Sequence, residues 1–94
     1  MVAYGASKGG VHGLGMTLEG ALASDNIRVN VLCPGQIATP LKLGIIEQQV
    51  ARIGEAADRE GQMAALGTPE GVALVLAFLL SKDADYVRGT VFTR

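Results

Sequence analysis

From about Ala3 to Ser24 the chain places Leu14, Leu18 and Leu22 four residues apart, the spacing of one helical face, with no proline to interrupt it. The same segment carries Gly9, Gly10, Gly13, Gly15 and Gly20. Each glycine inside a helix costs roughly 1 kcal/mol relative to alanine, so this helix is weak by itself and forms only where tertiary packing compensates. Gly5, Gly9 and Gly13 fall four apart and make a bare stripe on which another backbone can come close. These positions predict a helix laid tightly on a sheet or on a partner helix.

Asp25-Asn26 tolerates turn geometry and closes the helix, and Ile27 to Leu32 follows as a β-branched run. Ile27, Val29 and Val31 alternate with Arg28 and Asn30 before the run turns apolar at Leu32-Cys33, the pattern of a strand entering a core. Pro34-Gly35 ends it, because proline gives a ladder no donor and glycine frees the turn. Helix, tight turn, strand and a loop at the strand's carboxyl end make half of a parallel α/β unit, and ligands of such sheets sit outside that end.

Gln36 to Gly67 reads as a helical flap: Thr39-Pro40 opens a helix through Leu43, Ile46, Val50 and Ile53, and a charged patch runs from Glu55 to Glu60. Thr68-Pro69-Glu70 supplies an N-cap, a first-turn proline and an acid at the positive end of the helix dipole. That helix continues to about Ser81, and its apolar residues nearly encircle it, which predicts burial on more than one side. Asp83 to Arg88 reads as a surface turn and Thr90 to Phe92 as a last short strand.

Composition narrows the function classes. The chain is 49% apolar, with thirteen Gly, two Tyr, two Phe and no Trp, so its interior packs through aliphatics and close backbone approach, as in α/β enzymes. A net charge of −1 without a Lys/Arg cluster gives no footprint for a nucleic acid or an anionic membrane surface. Cys33 and His12 are the only residues of their kinds, so neither a disulfide nor an ordinary Cys/His metal site is expected. No charged-then-apolar leader follows Met1, and the apolar run Val72 to Leu80 is too short to span a bilayer. The expectation is a reduced, cytoplasmic setting.

Tyr4-Gly5-Ala6-Ser7-Lys8 sets a phenol and an ammonium one helical turn apart on the same face. A free phenol is a poor acid and a poor base at neutral pH, and a neighbouring cation favours its ionised form. Such a pair is equipped to move a proton to or from an alcohol or ketone.

This order of features resembles the C-terminal part of a short-chain dehydrogenase/reductase over nearly the whole chain. Tyr4-Gly5-Ala6-Ser7-Lys8 is similar to that family's Tyr-x-x-x-Lys active-site helix. Arg28-Val29-Asn30-Val31-Leu32-Cys33-Pro34-Gly35 is similar to the strand that leads into its Pro-Gly loop, and Tyr86-Val87-Arg88-Gly89 to its final turn. The resemblance implies an α/β fold, the C-terminal portion of a Rossmann-like doubly wound parallel sheet, in the order helix, strand, helical flap, helix, short strand. It implies an oxidoreductase using NAD or NADP on a small-molecule secondary alcohol or carbonyl substrate. Tyr4 would be the catalytic acid/base, and Lys8 would support Tyr4 and hydrogen-bond the nicotinamide ribose. Pro34, Gly35, Ile37 and Thr39 would complete the cofactor-binding set.

The family's glycine-rich phosphate loop, its carbonyl-polarising serine and its relay asparagine stand upstream of the Tyr motif, and its closing Asp-Gly-Gly is not found after Phe92. Residues 1–94 are therefore expected to be a partial dinucleotide-binding domain without its N-terminal half, inactive alone. The competing expectation is a non-catalytic remnant that serves subunit packing. A homo-oligomer is expected through the glycine-rich first helix and the C-terminal segment.

Several residues are set aside. Gly9-Gly10-Val11-His12-Gly13-Leu14-Gly15 has the glycine spacing of a phosphate loop but no room for a preceding strand. His12 is expected to be structural and Cys33 a small buried hydrophobe. Ser7 points about 100° from Lys8 on a helix and is assigned a packing or local hydrogen-bonding role. Leu41, Leu43, Ile45 and Ile46 fit an apolar substrate pocket or an ordinary amphipathic flap equally well.

Overall fold

Helix α1 spans Val2–Leu22 and passes into a 3-10 turn, Ala23–Asp25. Asn26 then takes the left-handed conformation at φ 57°, a geometry that asparagine adopts more readily than most residues, and donates its N–H to the Ala23 carbonyl. The computed structural model describes all residues 1–94, which divide into two compact units, Met1–Cys33 with Ala77–Arg94, and Pro34–Leu76.

In the first unit, strands β1 (Val31–Cys33) and β2 (Val91–Thr93) pair in parallel, with Val31 opposite Val91, Leu32 opposite Phe92 and Cys33 opposite Thr93. The strand expected over Ile27 to Leu32 is thus shorter and shifted, and the last strand lies one residue later than Thr90 to Phe92. A ladder extends only as far as its partner. Residues 27–30 instead bond to side chains and turns: Val29 N–H donates to Glu19 (3.0 Å), Gly89 N–H to the Val29 carbonyl (3.0 Å), and Arg88 to the Ile27 carbonyl (2.9 Å). Asn30 closes the set, its amide N donating to the Val87 carbonyl and its amide O accepting from Thr90 N–H.

The glycine stripe behaves differently from expectation. A Cβ placed on Gly5, Gly9 or Gly13 would meet nothing within 4 Å, whereas one on Gly15 would stand 2.7 Å from Val31 Cγ2. Close packing of α1 on the strand therefore runs through Gly15, and the stripe stays uncovered. The segment read as a surface turn, Asp83 to Arg88, holds a 3-10 turn, Lys82–Ala84, whose Ala84 is fully buried.

The second unit contains α2 (Pro40–Ile53) and α3 (Arg59–Ala64). Thr39 caps α2 by accepting Lys42 N–H at its hydroxyl (3.2 Å), with proline at the first position. Gly54, at φ 62°, ends α2, and the expected charged patch folds as a 3-10 turn, Gly54–Ala57, followed by α3. Asp58, at φ 49°, caps α3 through Gly61 N–H. Arg59 pairs with Glu47 at 2.7 Å and Gln62 bonds Gln49 at 3.0 Å, fastening α3 back on α2. Ile46 and Ala57 are buried.

Helix α4, Pro69–Leu79, starts in the second unit and ends in the first, with Thr68 accepting Gly71 N–H at its start (3.0 Å). No residue of α4 is buried, and Leu74 is 73% exposed. The burial expected on several sides is absent: an apolar circumference states what a helix needs to cover, not what covers it.

Candidate active site

The helical turn that begins α1 sets the Tyr4 and Lys8 side chains on one face. Lys8 Nζ stands 5.7 Å from the centroid of the Tyr4 ring, within the range of a cation–π contact. Tyr4 is 58% exposed and Lys8 is exposed, so both polar heads are open to a ligand. Ser7 donates its hydroxyl to the Tyr4 carbonyl at 2.8 Å, a local bond that keeps it off the phenol.

Pro34, Gly35, Ile37 and Thr39 lie in the second unit. Gly35 has φ 73°, a conformation that side chains rarely accept, so glycine is required where the chain leaves β1. Ile37 forms a parallel bridge with Gly67, and Thr39 N–H donates to the Ile37 carbonyl at 2.9 Å. The Thr39 oxygen serves the cap of α2 while its hydrogen remains available as a donor. The structure brings Tyr4 and Lys8 together in one unit and Ile37 and Thr39 together in the other.

Taken separately, each set offers groups that can hydrogen-bond a hydroxyl-bearing ligand. In the first unit an exposed phenol and an ammonium can hydrogen-bond hydroxyl groups; in the second a side-chain-free turn stands near a threonine hydroxyl and admits close backbone approach. Phosphate binding by Gly9 to Gly15 is excluded, because all these glycines lie inside the continuous helix α1, where backbone N–H groups are bonded within the helix.

The remaining sequence candidates separate. His12 is exposed, and Cys33, expected to be buried, is exposed as well. Cys33 is the last residue of β1. Leu41 and Ile45 are exposed while Ile46 is fully buried, so the four apolar residues of α2 do not form one lining. An open cleft of about 560 Å³ between Val50, Gly54, Glu55, Asp58, Arg59 and Glu60 includes none of the six expected site residues.

Sequence reasoning missed Glu19. Its carboxylate is only 19% exposed, accepts Val29 N–H and faces Arg88 Nε at 3.4 Å, joining α1 to the approach to β1 and to the last turn. The signal was available as a lone acid among the apolar and small residues of the helix's second half.

A family model described as Enoyl-(Acyl carrier protein) reductase matches residues 1–93. Over 87 residues, 93% of this chain and 32% of the relative, the sequence is 44% identical to (3R)-3-hydroxyacyl-CoA dehydrogenase of Homo sapiens. It is 41% identical over 88 residues to 7alpha-hydroxysteroid dehydrogenase of Bacteroides fragilis, covering 92% of this chain and 32% of that one. Among solved structures, L-sorbose reductase from Gluconobacter frateurii, complexed with NADPH and L-sorbose, superposes with a TM-score of 0.81 at 29% identity, over 97% of this chain and 38% of that chain. The chain spans about a third of the length of the curated relatives it matches. The likeness to solved structures also gives the fold: helices and a short parallel sheet that are part of a Rossmann-like α/β architecture.

Proposed function

The chain belongs to the short-chain dehydrogenase/reductase family, and from that premise we propose that residues 1–94 are the C-terminal part of an NAD- or NADP-dependent oxidoreductase domain acting on a secondary alcohol or carbonyl group. The observation that carries the reading is the Tyr4–Lys8 pair, exposed on one face of α1 with the ammonium 5.7 Å from the ring centroid. Relatives named as dehydrogenases and reductases of hydroxyacyl, steroid and sugar compounds support the reaction class.

In the reductive direction the Tyr4 hydroxyl donates its proton to the carbonyl oxygen, and in the oxidative direction the Tyr4 oxygen takes it from the alcohol. When bound, a nicotinamide cofactor would supply the hydride to, or take it from, the substrate carbon. Lys8 stabilises negative charge developing on the Tyr4 oxygen and has further N–H donors for ribose hydroxyls. Ile37 and Thr39, with the Pro34-Gly35 turn, would face the cofactor's nicotinamide carboxamide and phosphates, and the Thr39 hydroxyl hydrogen would be a donor there.

A homo-oligomer is part of the proposal, because the stripe of Gly5, Gly9 and Gly13 is open and Val11 and Leu14 beside it are exposed. A reducing, cytoplasmic setting is proposed from the lone free thiol of Cys33. No helix is long and apolar enough to cross a membrane. The test is nicotinamide absorbance in the protein at its natural length, with secondary alcohols and NAD or NADP, and with ketones and NADH or NADPH. Turnover of at least one pair supports the proposal, and inactivity with all of them on a folded protein that binds neither dinucleotide removes it.

A further inference from the structure

The helical segment of the second unit departs from extended chain at Gln36–Ala38 and returns to it at Gly67, and these two points are bonded to each other. Gly67 N–H donates to the Gln36 carbonyl at 2.8 Å, and Ala38 N–H donates to the Gly67 carbonyl at 2.9 Å. One residue thus uses both its backbone groups to bracket Ile37, its bridge partner. Closing so long a loop has an entropic cost, which makes a retained closure informative.

The bonding continues on the entry side. Thr39 N–H donates to the Ile37 carbonyl, Thr39 accepts Lys42 N–H at its side chain and Leu43 N–H at its carbonyl. Ile37 is therefore held between Gly67 behind it and the first turn of α2 ahead of it. On the exit side, Leu66 N–H donates to the Met63 carbonyl and Thr68 caps α4, so Gly67 is itself set between two anchored residues.

We propose that Gly67 is a positioning residue for the cofactor loop: its N–H and C=O hold Gln36–Ala38 in the geometry in which Ile37 and Thr39 meet the dinucleotide, so that a bound dinucleotide stabilises both of these bonds together. Gly67 does not touch the cofactor in this account. The inference rests on the assignment of Ile37 and Thr39 as cofactor residues.

Amide hydrogen exchange on the protein at its natural length, with and without saturating NAD(H) or NADP(H), tests it. The dinucleotide that binds is expected to slow exchange at both Ala38 and Gly67 by a similar factor, about tenfold. Gly67→Pro, which lacks the donor to Gln36, is expected to speed Ala38 exchange while amides at Leu14 and Leu18 of α1 keep their rates, and to weaken dinucleotide binding several-fold. Gly67→Ala keeps both backbone groups and is expected to keep the affinity. A dinucleotide that slows Ala38 but leaves Gly67 unchanged overturns the coupling, as does wild-type affinity in Gly67→Pro. If Gly67→Pro does not fold, the wild-type exchange pattern decides alone. Failure of either dinucleotide to bind removes the cofactor assignment itself, a result distinct from uncoupled exchange.

Discussion

Gly15 of α1 lies against Val31 of β1 so closely that a β-carbon there would stand 2.7 Å from the valine Cγ2. Gly15→Ala is expected to lower folding stability by about 1–3 kcal/mol, since overpacking outweighs the better helix propensity of alanine. Gly9→Ala meets no atom of this chain, and it is expected to preserve or raise stability while weakening self-association. Thermal unfolding and sedimentation of the two variants separate these effects.

Glu19 and Arg88 give the second prediction. Glu19→Ala leaves Val29 N–H without its acceptor and Arg88 without its nearby carboxylate. A loss of about 1–3 kcal/mol in chemical unfolding is expected. Glu19→Gln keeps an acceptor oxygen and is expected to lose less.

Asn30 both donates to the Val87 carbonyl and accepts from Thr90 N–H, which only a side-chain amide of that length does here. Asn30→Asp removes the donor and turns a carboxylate oxygen toward a carbonyl. Destabilisation of about 1–3 kcal/mol is expected at neutral pH, read by unfolding midpoint.

Much of this architecture was legible in the sequence where a residue acts locally. Thr39-Pro40 and Thr68-Pro69 mark the starts of α2 and α4 because caps depend on neighbours within one turn. The Tyr4–Lys8 spacing gave the contact in α1 for the same reason. The extent of β1 was not legible, because ladder length is set by a partner some sixty residues away, and the side chains of Glu19, Asn30 and Arg88 take the bonds at residues 27–30. Helix α3 was missed because its entry rests on Asp58 at positive φ, a conformation no pattern of charges announces. The exposed Cys33 and the uncovered α4 misled for a shared reason: hydrophobicity reports a preference for burial, while burial depends on which surfaces meet.

Thr39 has two duties in the proposed site, so its variants need pairing. Thr39→Val removes the α2 cap, at a stability cost of about 1 kcal/mol, and also the donor proposed for the cofactor. Thr39→Ser retains both. Dinucleotide titration is expected to show weaker binding for the valine variant and near-normal binding for serine, with the order of preferred substrates unchanged in each.

Tyr4→Phe tests the central claim most directly, because it deletes one oxygen from a side chain already 58% exposed and leaves the helix and Lys8 in place. Steady-state turnover and dinucleotide affinity are measured side by side on the protein at its natural length, with Lys8→Ala as companion. The account predicts that Tyr4→Phe abolishes turnover and nearly preserves cofactor affinity, while Lys8→Ala damages both. Near-normal kcat in Tyr4→Phe would contradict it.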